Sequence, residues 1–145
     1  MSAPAGAPLW LAPAKLNLRL EVLGRRADGY HELATTFLAL DWCDRVRLVP
    51  RSRPGVGLVL SGPAASADIP ADPTNLAWRA AEAFFEGGLG GGGVEIALEK
   101  HLPSKAGLGG GSADAAAVLL ALCALHGQPE QAALAPLAGL GSDTV

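Results

Sequence analysis

Two cysteines are all that the sequence holds, Cys43 and Cys123, and they stand far apart with no Cys-x-x-Cys spacing and no His pair nearby. That pattern excludes a zinc site and a disulfide framework, and a reducing cytoplasm is the expected location. A basic excess is missing too: 11 Lys and Arg face 14 Asp and Glu, for a formal net charge of −3. With no basic field for a phosphate backbone, nucleic acid is not an expected partner. The nearest approach to a basic cluster is Arg45, Arg47, Arg51 and Arg53, and the alternation Arg45-Val46-Arg47-Leu48-Val49 reads as a solvated strand face. Long apolar runs are lacking as well. The longest, Ala115 to Leu125, is too short to span a bilayer and reads as a buried helix, so no membrane partner is expected. Pro4, Pro8 and Pro13 interrupt the N-terminus and the first cation is Lys15, which leaves no export signal.

What is there is enough for one packed domain: 145 residues, 50% of them hydrophobic. Gly (19) and Pro (11) are frequent without reaching the share that marks low complexity. Residues 1–10, small and proline-rich at their start, are expected to be disordered, and residues 11–145 to form the folded domain. From Lys15 to Leu23 polar and apolar residues alternate, the period of a strand whose Leu16, Leu18, Leu20 and Val22 face a core while Lys15, Asn17, Arg19 and Glu21 share the other face. Gly24 to Gly29 reads as a turn, followed by strands over Leu33–Leu40, Arg45–Val49 and Val56–Leu60. Thr74 or Asn75 can cap a helix with Leu76, Ala77, Ala80, Ala81 and Phe84 at helical spacing, ending at Gly87-Gly88. The glycines from Gly87 to Gly93 follow a helix and precede a strand, Val94–Leu98, the wrong order for an anion site, and read as a flexible linker. A last helix is expected over about Pro129–Leu140.

The segment Pro103-Ser104-Lys105-Ala106-Gly107-Leu108-Gly109-Gly110-Gly111-Ser112-Ala113 lies between a strand and an alanine-rich helix running from about Ser112 to Leu125. Glycines without Cβ let backbone N–H groups approach an anion, and the positive end of the helix dipole points the same way, so phosphate is the natural ligand. No Gly-Lys-Ser/Thr ending makes it a P-loop, and Gly107-x-Gly109-x-x-Ser112 misses the third glycine of a dinucleotide fingerprint. Four glycines within Gly107 to Gly111 exceed what a turn needs. Taken alone, Lys15 and Asp143 would be solvated charges, Phe37 a core residue, and His31, His101 and His126 surface decoration.

With Ala12-Pro-Ala-Lys-Leu-Asn-Leu18 and Arg26-Ala-Asp-Gly-Tyr-His31 before it, the glycine loop completes three motifs that, in this order, resemble the GHMP kinases, the relatives of galactokinase, homoserine kinase and mevalonate kinase. Within that family they are similar to the branch acting on a cytidine diphosphate-linked methylerythritol, and the resemblance runs from about Leu11 to Asp143. It implies an α+β fold, the GHMP kinase N-terminal domain (ribosomal protein S5 domain 2-like), a mixed sheet with helices on one side. It implies a small-molecule kinase that uses ATP with Mg²⁺ to phosphorylate the 2-hydroxyl of that substrate. Lys15 and Asp143 are then the catalytic pair, the carboxylate accepting the hydroxyl proton and the ammonium keeping it ionised. Pro103 to Ala113 would hold ATP phosphates, with Ser112 a candidate for phosphate or Mg²⁺, and Asn17, Tyr30, His31 and Phe37 fall on the substrate side. Family members continue past Asp143 into a second domain, so the resemblance also implies a truncated chain with impaired transfer. Other expectations are another GHMP kinase, of homoserine or mevalonate type, and an inactive nucleotide-binding fragment. Oligomeric state is not legible.

Overall fold

The computed structural model describes residues 5–140. Two long strands, β1 (Trp10–Arg25) and β2 (His31–Arg51), are followed by β3 (Gly55–Ser61), helix α1 (Leu76–Glu86), β4 (Gly93–Glu99) and helix α2 (Gly110–Leu125). A 3-10 turn (Glu130–Ala133) and a short α3 (Leu134–Ala138) close the described chain. The strands lie in the order β1-β2-β4-β3, with β3 and β4 parallel and the other pairs antiparallel. The parallel pair needs a crossover, which α1 supplies. The result is the expected α+β arrangement.

Helix α1 starts where expected: Asn75 in extended conformation accepts the N–H of Ala77 on its side chain at 2.9 Å. Its buried stripe, Ala77, Ala80, Ala81 and Phe84, meets Val118, Leu119 and Leu122 of α2, and both helices rest on Val46, Leu48, Ile96 and Leu98 of the sheet. Phe84, Ile96 and Leu122 are each fully enclosed, worth about 1.5–3 kcal/mol apiece against exposure. On the uncovered face Arg45 pairs with Glu99 at 3.9 Å and Arg51 with Glu95, so the arginine alternation is the solvated strand face that the sequence implied.

Several expectations fail. Leu33–Leu40 and Arg45–Val49 belong to one strand, β2, because β1 pairs along its whole length. Leu16, Leu18, Leu20 and Val22 face no core and are 44–62% exposed. β4 pairs only with Arg45–Arg51 of β2, so among the described residues the β1–β2 ribbon beyond that is two-stranded. The two-face alternation also breaks: a register shift between Asn17 and Arg19 puts Leu20, opposite Thr35, on the face that Asn17 shares with Phe37. The helix expected over Pro129–Leu140 splits into the 3-10 turn and α3.

The glycines read as a flexible linker permit close packing instead. A Cβ on Gly93 would lie 2.3 Å from the Gly55 oxygen, and one on Gly90 would lie 2.6 Å from the ring of His126. His126 is no surface decoration: its ring centroid stands 5.5 Å from that of Phe84 and 5.7 Å from that of Phe85.

Candidate nucleotide and substrate site

The loop between β4 and α2 takes its shape from left-handed backbone. Lys105 (φ 57°), Gly107 (φ 73°) and Gly109 (φ 68°) all have positive φ, and Lys105 is the one non-glycine in that state among the described residues. Gly109 is the N-cap of α2, so the first-turn N–H groups, which have no partner within the helix, begin directly after it. Pro103 to Ser112 line a cavity of about 380 Å³ whose opposite wall is Asp68 to Pro70 and Thr74 to Leu76, ahead of α1. The helix starts at Gly110, two residues before the expected point, and aims its positive end into this cavity.

A second cavity, of about 480 Å³, opens between the β1–β2 ribbon and α2. Lys15, Asn17, Thr35 and Phe37 form its strand wall, with Ala113 on the helix side, and Gly109 and Ser112 line both cavities. Lys15 Nζ donates to Asn17 Oδ1 at 2.5 Å, Asn17 Nδ2 donates to Thr35 Oγ1 at 2.9 Å, and the Thr35 hydroxyl donates to the Arg19 carbonyl at 2.9 Å. The ammonium is thereby held on the ribbon face beside the loop. Lys15 also ties strand to loop through its backbone N–H, which donates to the Leu108 oxygen at 2.9 Å.

Beneath the loop lies an ionic group that the sequence did not disclose. Lys100 Nζ donates to Asp44 Oδ2 at 2.5 Å and to Asp114 Oδ2 at 2.7 Å, all three side chains being buried. Asp44 Oδ1 accepts the backbone N–H groups of His101 (2.6 Å) and Leu102 (2.8 Å). Asp114 Oδ1 is buried without a hydrogen-bond partner. Burial pushes the Asp114 carboxyl up to about 7, with Lys100 opposing. Burial works to lower Lys100, but Asp114 foremost, then Asp44, hold it above its ordinary value. One signal was available: Asp114 is the sole charged residue between Ser112 and Leu125. Asp44 offered none, because the residues around it read as a connection between two strands.

The structure thus brings together Lys15, Asn17, Phe37 and the loop. Tyr30 and His31 line neither cavity; they sit at the ribbon's tip, where His31 pairs with Arg25, up to about 33 Å of strand beyond Lys15. Asp143 lies outside the described residues.

Residues 75–143 match the model of the GHMP kinases N terminal domain. A crystal structure of 4-(cytidine 5'-diphospho)-2C-methyl-D-erythritol kinase superimposes with a TM-score of 0.71 at 47% identity, over 94% of this chain and 47% of that one. The chain belongs to the GHMP kinase family. Among curated relatives, the 4-diphosphocytidyl-2-C-methyl-D-erythritol kinase of Thermus thermophilus is 49% identical over 134 residues, which is 92% of this chain and 44% of that protein. The protein of the same name from Citrifermentans bemidjiense is 44% identical over 110 residues, 76% of this chain and 38% of that protein. This GHMP kinase chain therefore spans less than half the length of the curated relatives it matches. Homoserine kinase from Cytophaga hutchinsonii, 19% identical with a TM-score of 0.70 over 97% of this chain and 42% of that one, shares the fold.

Proposed function

We propose that this chain is the nucleotide-binding part of a kinase that transfers the γ-phosphoryl group of ATP to the 2-hydroxyl of 4-diphosphocytidyl-2-C-methyl-D-erythritol. The observation that carries this reading is the meeting of the two cavities at Gly109 and Ser112, with Lys15 at the junction. ATP phosphates, with their Mg²⁺, would lie against the N–H groups of the loop and the positive end of α2, which stabilise charge on the transferring group. The nucleoside would run toward Asp68 to Leu76. The acceptor would occupy the cavity of Asn17 and Phe37, its hydroxyl directed at the shared wall. Lys15 would hold the catalytic carboxylate ionised, and Asp143, the carboxylate expected from the sequence, would take the hydroxyl proton.

The choice of the cytidyl-bearing substrate over those of other GHMP kinases is supported by the names of the relatives and by the sequence motif Gly29-Tyr30-His31, whose residues line neither cavity. The test is ATP-dependent phosphorylation of this alcohol by the purified chain, with Lys15→Ala as control and CMP as competitor. Product formed by the native chain alone and suppressed by CMP is the expected result. ATP bound without transfer restricts the function to nucleotide binding, and turnover insensitive to CMP points to a different acceptor alcohol.

A further inference from the structure

The glycine loop leaves the sheet just past Lys100 and joins α2 at Gly110, and a single buried ionic group reaches both ends. At the entry, Asp44 accepts the N–H groups of His101 and Leu102, the two residues before Pro103. At the exit, Asp114 stands in the second turn of α2. Lys100 joins them, with its ammonium bonded to both carboxylates. Its backbone is pinned as well: its N–H donates to the Ser61 oxygen at 2.8 Å and its carbonyl accepts from Ala64 at 3.0 Å. Gly62 makes this possible, since a Cβ there would lie 2.4 Å from the Lys100 oxygen.

We propose that Asp44, Lys100 and Asp114 are positioning residues, a clasp that fixes the entry of the glycine loop against its exit and so sets the spacing of the N–H groups offered to phosphate. The clasp rests on the nucleotide-binding reading above. Apolar side chains could fill the same volume, but they would leave the loop ends free to slide. Charge-assisted bonds admit one geometry, and breaking one leaves a buried charge uncompensated. The ammonium also sits close under the start of the helix, 3.6 Å from where a Cβ of Gly110 would stand, so a shift of Lys100 is felt at the first helical N–H groups.

Amide hydrogen exchange over residues 104–113 and calorimetric titration with ATP test this in the full chain. Asp44→Asn keeps an oxygen for the two backbone N–H groups and removes the ion pair, and Lys100→Met removes the ammonium. Ile96→Val, in the sheet core away from the loop, controls for general destabilisation. Asp44→Asn and Lys100→Met are expected to speed exchange of the loop amides and to raise the dissociation constant for ATP, each by about tenfold. Ile96→Val should leave both within about twofold. Loop exchange in the charge variants that matches the Ile96→Val control overturns the clasp. So does failure of both charge variants to fold, which would assign the group to global folding. If the native chain does not bind ATP, the nucleotide reading fails, while the exchange comparison still decides the clasp.

Discussion

The backbone N–H of Lys15 donates to the carbonyl oxygen of Leu108 at 2.9 Å, which binds the strand bearing the ammonium to the loop that faces the phosphate cavity. The side chain follows the same path. Its stem lies against Gly109, where an added Cβ would stand 3.0 Å from Lys15 Cε. Neither ammonium nor loop can be displaced without disturbing the other.

Gly109→Ala should therefore act twice. The left-handed backbone costs about 1–2 kcal/mol with a Cβ present, and the methyl group pushes the Lys15 stem aside. Gly107→Ala carries similar backbone strain with no atom within 4 Å of the new methyl. Urea unfolding should show a loss in both variants that is at least as large in Gly109→Ala, with ATP affinity falling further, by about tenfold, only in Gly109→Ala.

Asp114 confers a pH dependence whose sign is fixed. In the unfolded chain its proton leaves near the ordinary value of 3.8, whereas the folded chain keeps it to about 7. The stability contributed by the protonated form is thus complete below 3.8, declines as the pH rises, and is gone above about 7. Asp114→Asn cannot ionise and still offers an oxygen to Lys100. Its unfolding free energy should lie near that of the native chain at low pH and exceed it by a few kcal/mol above neutrality, in urea titrations across that range. Parallel curves would contradict this.

Asn75 joins the cavity wall to α1. Its Oδ1 caps the helix and its Nδ2 donates to the Pro70 oxygen at 2.8 Å. Asn75→Ala should cost about 1 kcal/mol in thermal or urea unfolding. It should also weaken ATP binding, because Pro70 and Leu76 line the same cavity.

The ribbon exposes Leu18, Val22 and Leu23 at 61–62%. Large apolar side chains exposed together on one two-stranded ribbon favour association. Sedimentation velocity should show concentration-dependent self-association of the chain, reduced when these three residues are replaced by Ser.

The sequence disclosed the parts governed by local chemistry. Thr74 or Asn75 had to cap, and the structure chooses Asn75; the spacing from Ala77 to Phe84 had to bury one helical face, and the glycines before Ser112 had to shape a strand-to-helix loop. What it concealed depended on partners distant in the chain. The Leu16-to-Val22 alternation matches a half-buried strand, yet a register shift at Asn17 and the lack, among the described residues, of a third strand there leave those side chains exposed. Asp44 and Lys100 are 56 residues apart, and only the pairing of β2 with β4 joins them. Lys15 was singled out through a family motif, and its tie to Leu108 could not be read without the fold.

The most direct test of phosphate binding by the glycine loop is an NMR titration of the isotope-labelled chain with MgATP, following the backbone amides. The expected result is saturable shifts concentrated from Lys105 to Ala113 and at Lys15, with the midpoint moved about tenfold higher in Gly109→Ala. Saturable shifts confined to other residues, or no shifts at millimolar nucleotide, would contradict the assignment of this loop as the phosphate site.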